Sequence, residues 1–129
     1  MKLTLRSVSV PLSAPLHSAH GTVSERELVL AALEGAGGLT GWGEAAPLQS
    51  YDGTSAAAVL TAVEDCRPVL EGSDEDAPIA DVVARCAEVT LLPQALAAID
   101  LALWDLAARR ARVPAWRLLG APEARPVPV

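Results

Sequence analysis

Between Pro93 and Pro114 the chain reads PQALAAIDLALWDLAARRARVP, a helix-length segment with no glycine and no proline in its interior. Pro93 suits the first position of a helix, where its missing N–H has no partner to lose. At helical spacing Leu96, Ile99, Leu103 and Leu106 form one stripe. Leu101 and Trp104 point elsewhere, and the remaining sides are largely alanine. A helix that is apolar on more than one side must be covered on more than one side. The rest of a 129-residue chain therefore has to be arranged around this segment. Three short helices and a small sheet can cover one side, and the other side asks for a further partner.

Composition narrows the kind of core available. Apolar residues make up 51% of the chain, yet aromatic residues make up 3% and phenylalanine is missing. The core is expected to be built from Ala, Leu and Val, which implies closely packed helices. A formal net charge of −6 argues against nucleic acid or an anionic membrane as a partner. Apolar runs are short and broken by charge or proline, so no membrane-spanning segment is expected. The opening MKLTLRSVSVPLSAPL alternates polar and apolar residues where a secretory signal would be continuously apolar, so a cytoplasmic location is expected. Cys66 and Cys86 fall in segments that read as helix. They are expected to be free thiols serving as small apolar fillers, since their spacing fits no metal motif.

The pattern along the chain predicts strands over about 2–12, 25–34 and 39–45. A slip in the alternation of KLTLRSVSV near Arg6 suggests a bulge, and PLSAPLHSAHGT reads as a loop. SERELVLAALEG satisfies two templates. Ser24 and Glu27 fit a helical capping box, while Leu28, Leu30 and Ala32 alternate as in a strand ahead of the GAGG turn. Helices are predicted over about 54–67, with Pro68 ending or kinking the first, and over 78–88, 93–112 and 114–119.

GWGEAAPLQSYDG, from Gly41 to Gly53, resembles a dinucleotide-binding turn by spelling alone. That chemistry needs a helix opening at the glycines so that its amides meet the pyrophosphate, and here Pro47 and a polar loop follow. His17 and His20 form H-x-x-H without a third or fourth zinc ligand nearby. Asp100 and Asp105 are five apart on the long helix and share no face, so they read as caps or interface partners. Glu44 reads as a structural hydrogen-bonding group, and Asp74 to Asp76 as a solvated turn. No nucleophile–base pair, phosphate cradle or metal cluster emerges.

Two longer segments carry a family likeness. RELVLAALEGAGGLTGWGEAAPL and ALAAIDLALWDLAARRARVPAWRLLGA resemble, in this order and spacing, the N-terminal capping domain of the enolase superfamily. Within it the chain resembles the branch of muconate cycloisomerases, o-succinylbenzoate synthases and dipeptide epimerases. The resemblance covers nearly the whole chain and implies an α+β fold, a three-stranded antiparallel meander followed by a helical bundle. It assigns SERELVLAALEG to a strand, residues 1–122 to the capping domain and 123–129 to a linker into a first barrel strand. His17, Ser18 and His20 then match one substrate-reading loop, and Gln49, Ser50 and Tyr51 the other. Trp42 becomes a packing residue on the sheet and Glu44 an anchor near a domain interface.

In that family the lysine acid/base groups and the magnesium-binding carboxylates belong to a barrel, for which RPVPV is the expected start. No catalytic or metal-binding residue is therefore assigned within this chain, and it is expected to be inactive alone. Its expected partners are a barrel or a second copy of itself, with a small carboxylate substrate in the parent enzyme. The chain reads as a fragment or a truncated product of an isomerase or lyase. The alternative is a free-standing dimeric or partner-binding module without activity.

Overall fold

The computed structural model describes residues 1–125. β1 (Lys2–Ser18), β2 (Gly21–Glu34) and β3 (Thr40–Ala45) form one antiparallel sheet in the order β1-β2-β3. They are followed by α1 (Gln49–Asp52), α2 (Ala56–Asp65), α3 (Arg67–Glu71), α4 (Ile79–Val89), α5 (Pro93–Ala111) and α6 (Ala115–Leu118). The result is the α+β arrangement of a meander and a helical bundle. Of the RPVPV tail, residues 126–129 lie outside the described residues.

The sheet buries one face against the helices. Leu3, Val29, Ala31, Leu33 and Ala45 point inward and join Val59, Val63, Leu70, Val82, Ile99 and Leu106 in a single core. The register accounts for the inward set, because Leu3 faces Leu33 and Val29 faces Ala45 across the ladders. SERELVLAALEG is thus strand. Its capping-box spelling is overridden by pairing on both edges of β2.

The slip near Arg6 is not a bulge. Pairing runs without a break from Lys2↔Glu34 to Pro11↔Glu25, and the irregularity lies between Pro11 and Leu16. Unbroken alternation puts Val8 and Val10 on the face opposite Leu3 and Leu5. The segment expected as a loop is also different, since the two strands continue past the irregularity as a ribbon to Ser18↔Gly21. Pro11 and Pro15 are tolerated there because β1 is an edge strand and needs few of its outward N–H groups.

β3 lies directly on α5. Gly41, Gly43 and Ala45 face the helix, and Ala95, Ala98 and Ala102 are fully buried on it. A Cβ on Gly43 would overlap the Ala98 carbonyl and come within 2.8 Å of the Ala102 nitrogen. One on Gly41 would come within 2.5 Å of the Leu106 nitrogen. The two glycines are therefore the condition for backbone-to-backbone contact. Trp42 points away from this contact and lies half-exposed on the outer face of the sheet, beside Leu30.

Side chains from the helices close both sheet edges. On β1, Leu3 donates its N–H to Glu71 and its carbonyl accepts from Arg67 at 2.7 Å. On β3, the Trp42 N–H donates to Asp105 at 2.8 Å. The helix expected over 54–67 divides at Cys66, with Pro68 in the first turn of α3. Ser55 caps α2, its hydroxyl accepting from the Ala58 N–H at 3.1 Å. Both cysteines are buried and free, and the Cys66 thiol lies 3.7 Å from the Cys86 carbonyl.

Candidate functional site

The tip of the β1–β2 ribbon and the segment after β3 meet at one end of the sheet. Ala19 and His20 make the turn, and Gly21, at φ 115, takes a conformation that L side chains rarely adopt. Several polar atoms of the turn are used within it. Ser18 Oγ donates to the Gly21 carbonyl and accepts the His20 N–H, both at 3.2 Å, and His17 Nδ1 lies 2.9 Å from Thr22 Oγ1.

Gln49, Ser50 and Tyr51 were expected in an open turn. They form instead α1, a single helical turn closed by Gly53 at φ 74. Asp52 holds this turn from within. Its carboxylate accepts from the Leu48 N–H at 3.2 Å, the Thr54 N–H at 2.8 Å and the Gln94 side-chain amide at 3.1 Å. The Thr54 amide is the main reason that the Asp52 carboxyl lies below its ordinary range. Arg26 anchors the other side of the segment, donating to the Ala46 carbonyl at 2.6 Å and the Pro47 carbonyl at 3.4 Å. Neither Asp52 nor Arg26 was anticipated. Asp52-Gly53 was a readable turn signal, whereas the reach of Arg26 across twenty residues of sequence had none.

The two segments touch through aromatic rings. His20 meets Tyr51 edge to face, with centroids 5.1 Å apart and planes at 86°. Tyr51 is 71% exposed, so the pair stands on the surface. His17 and Ser18 lie on the ribbon beside it, and Gln49 and Ser50 on α1. Beneath them a groove of about 260 Å³ runs between residues 22–27 and 47–50. The expected site residues are thus brought to one end of the molecule, although His17 and Ser18 have polar atoms already engaged.

A second concavity, of about 520 Å³, lies along the β3 edge and the flank of α5. Leu30, Trp42, Leu101, Trp104 and Leu119 give it an apolar lining, with Glu44 and Asp100 among the wall residues. This is the side of α5 for which the described residues provide no cover, and Leu101 is 51% exposed on it.

Among the described residues no group of three or more His, Cys, Asp or Glu side chains could hold a metal ion. His17 and His20 gain no third ligand from the fold. No helix among the described residues is long and apolar enough to cross a membrane.

The sequence matches the mandelate racemase / muconate lactonizing enzyme N-terminal domain over residues 1–120. It is 33% identical over 120 residues to a hydrophobic dipeptide epimerase of a Flavobacteria bacterium, strain MS024-2A, covering 93% of this chain and 33% of that protein. It is 32% identical over 120 residues to an L-Lys-D/L-Arg epimerase of Desulforapulum autotrophicum, covering 92% of this chain and 34% of that protein. A dipeptide epimerase from Enterococcus faecalis V583, solved with magnesium and the dipeptide L-Leu-L-Tyr, superposes with a TM-score of 0.85 at 26% identity. That match covers 93% of this chain and 34% of the other. The chain spans about a third of the length of the curated relatives it matches.

Proposed function

Because the chain belongs to the mandelate racemase / muconate lactonizing enzyme N-terminal domain family, we propose that it is the substrate-reading cap of an enolase-superfamily isomerase or lyase. In this reading the cap performs no chemistry. A barrel supplies the groups that remove a proton alpha to a carboxylate, and the cap closes over the substrate and selects it. The contact between His20 and Tyr51 carries the reading, because it joins the two segments a cap would present to its substrate.

The barrel is proposed to seat on the apolar concavity between Trp42 and Trp104, which covers the open flank of α5. Relatives of this chain have been solved with magnesium. The donor set here does not fit that ion, which takes oxygen ligands in octahedral array. The metal is assigned to the barrel. Similarity to epimerases of hydrophobic and of Lys/Arg-containing dipeptides supports a dipeptide or a related N-acyl amino acid as the substrate class.

The test is Tyr51→Ala in the cap joined to its barrel, with kcat/KM measured for two competing substrates and alpha-proton exchange followed in deuterated water. A cap that selects should lose about 1–3 kcal/mol of discrimination while exchange continues. Equal changes for both substrates would remove the selecting role.

A further inference from the structure

We infer that Gln94, in the first turn of α5, is a positioning residue for substrate selection: it holds Asp52 and so fixes where α1 presents Tyr51. The inference rests on the capping role proposed above. Gln94 Nε2 donates to Asp52 Oδ2 at 3.1 Å and to Thr54 Oγ1 at 3.4 Å. One amide thus grips the last residue of α1 and the residue beyond Gly53. Asp52 passes the hold on, since its carboxylate also accepts the Leu48 and Thr54 amides on either side of the turn. Tyr51 is the neighbour of Asp52 in that turn and meets His20 edge to face. The place of its ring therefore depends on a side chain that reaches Asp52 from 42 residues further along the chain.

Gln94 is not placed to read a ligand itself. Its Nε2 is committed to Asp52 and Thr54, and its Oε1 is buried without a partner among the described residues. An orphaned buried acceptor opposes folding, and a methionine of similar length would avoid it. Stability alone therefore does not account for an amide at this position, whereas the bond it donates to Asp52 does. Arg26 repeats the arrangement from the other side. One of its terminal nitrogens holds the Ala46 and Pro47 carbonyls, while its Nε is buried without a partner among the described residues. The stretch that carries Gln49, Ser50 and Tyr51 is thus slung between two half-satisfied side chains, one on β2 and one on α5. Helix α5 is seated on β3 main chain to main chain through Ala98 and Gly43, so its first turn is a firm base for the hold.

The experiment uses the cap joined to its barrel and two competing dipeptides, L-Ala-L-Leu and L-Ala-L-Lys, with alpha-proton exchange in deuterated water as the readout. Gln94→Met should bring the ratio of their kcat/KM values toward unity by about fivefold or more, chiefly through KM. Gln94→Glu keeps the shape and should act more strongly, because a carboxylate then faces Asp52. An acid in the first turn favours α5 itself, so this variant should lose selectivity without a fall in Tm, which a merely structural role would not produce. In a Tyr51→Ala background neither change at Gln94 should move the ratio further, since Gln94 acts through that ring. An unchanged ratio in both Gln94 variants, or an equal shift with and without Tyr51, overturns this inference and leaves the capping role standing. An unchanged ratio in Tyr51→Ala alone overturns the capping role and this inference with it.

Discussion

The alpha carbon of Gly43 sits against the backbone of Ala98 so closely that no side chain fits between them. Strand β3 and helix α5 thus touch main chain to main chain, and the loop that follows β3 starts from a fixed point. Gly43→Ala should lower stability by about 1–3 kcal/mol or more, since the added methyl meets backbone that cannot rotate away. Gly37→Ala is the comparison. Gly37 has open space around it and a φ of 73, so only backbone strain of about 1 kcal/mol opposes the change. Equilibrium urea unfolding of both variants checks the order, and equal losses would count against the close fit.

Residues 1–129 without a barrel are expected to self-associate. Trp42 and Leu101 are 45% and 51% exposed around the same concavity as Trp104. Sedimentation velocity over a concentration series should show growth of a species larger than the monomer. Leu101→Glu, at a surface position, should return the monomer without loss of helical signal. A chain that stays monomeric at high concentration would leave the concavity without this role.

Acid should loosen the α1 segment early. The Thr54 amide, with help from Leu48 and Gln94, holds the Asp52 carboxyl below its ordinary value of 3.8. A carboxyl depressed in the folded state stabilises that state above the unfolded value, and the contribution fades as pH falls through the folded one. Amide exchange corrected for its intrinsic pH dependence should therefore rise at residues 48–54 below pH 3.8 before it rises in α5. Asp52→Asn should remove most of that step. Simultaneous loosening of α1 and α5 would argue against a local hold.

The two cysteines should resist modification in the native state. Burial pushes the Cys86 thiol up to about 12 and raises Cys66 as well. Thiolate is the reactive form, so Ellman's reagent at mildly alkaline pH should label both only through opening of the α2–α4 region. Labelling in urea should be rapid. Native labelling at the rate of a free thiol would place at least one sulfur at the surface.

How much of this was legible beforehand depends on the range of the forces involved. The long helix, the inward stripe of Leu103 and Leu106, and the free cysteines follow from local period and residue type. SERELVLAALEG did not, because its capping-box letters and its alternation are both local and the deciding bonds come from β1 and β3. Pro11 and Pro15 suggested a loop because proline breaks a central strand, and their tolerance depends on β1 being at the edge. The face that Trp42 takes also depends on a distant element. Its neighbours are glycine only because α5 lies on their side, which sends the indole to the other. At the candidate site the residues considered came from the family likeness. The meeting of His20 with Tyr51, and the anchors Asp52 and Arg26, required the fold.

The glycine–alanine contact also imposes an order in time. The β1–β2 ribbon joins residues near in sequence and can form while the chain is still being made. β3 pairs with β2 through a short turn, but with no side chains at positions 41 and 43 its inner face stays uncovered until α5, some fifty residues later, has appeared. Helix α5 is thus the step that fastens the sheet to the helical layer, and substitutions along its alanine face should slow folding more than those in the ribbon tip.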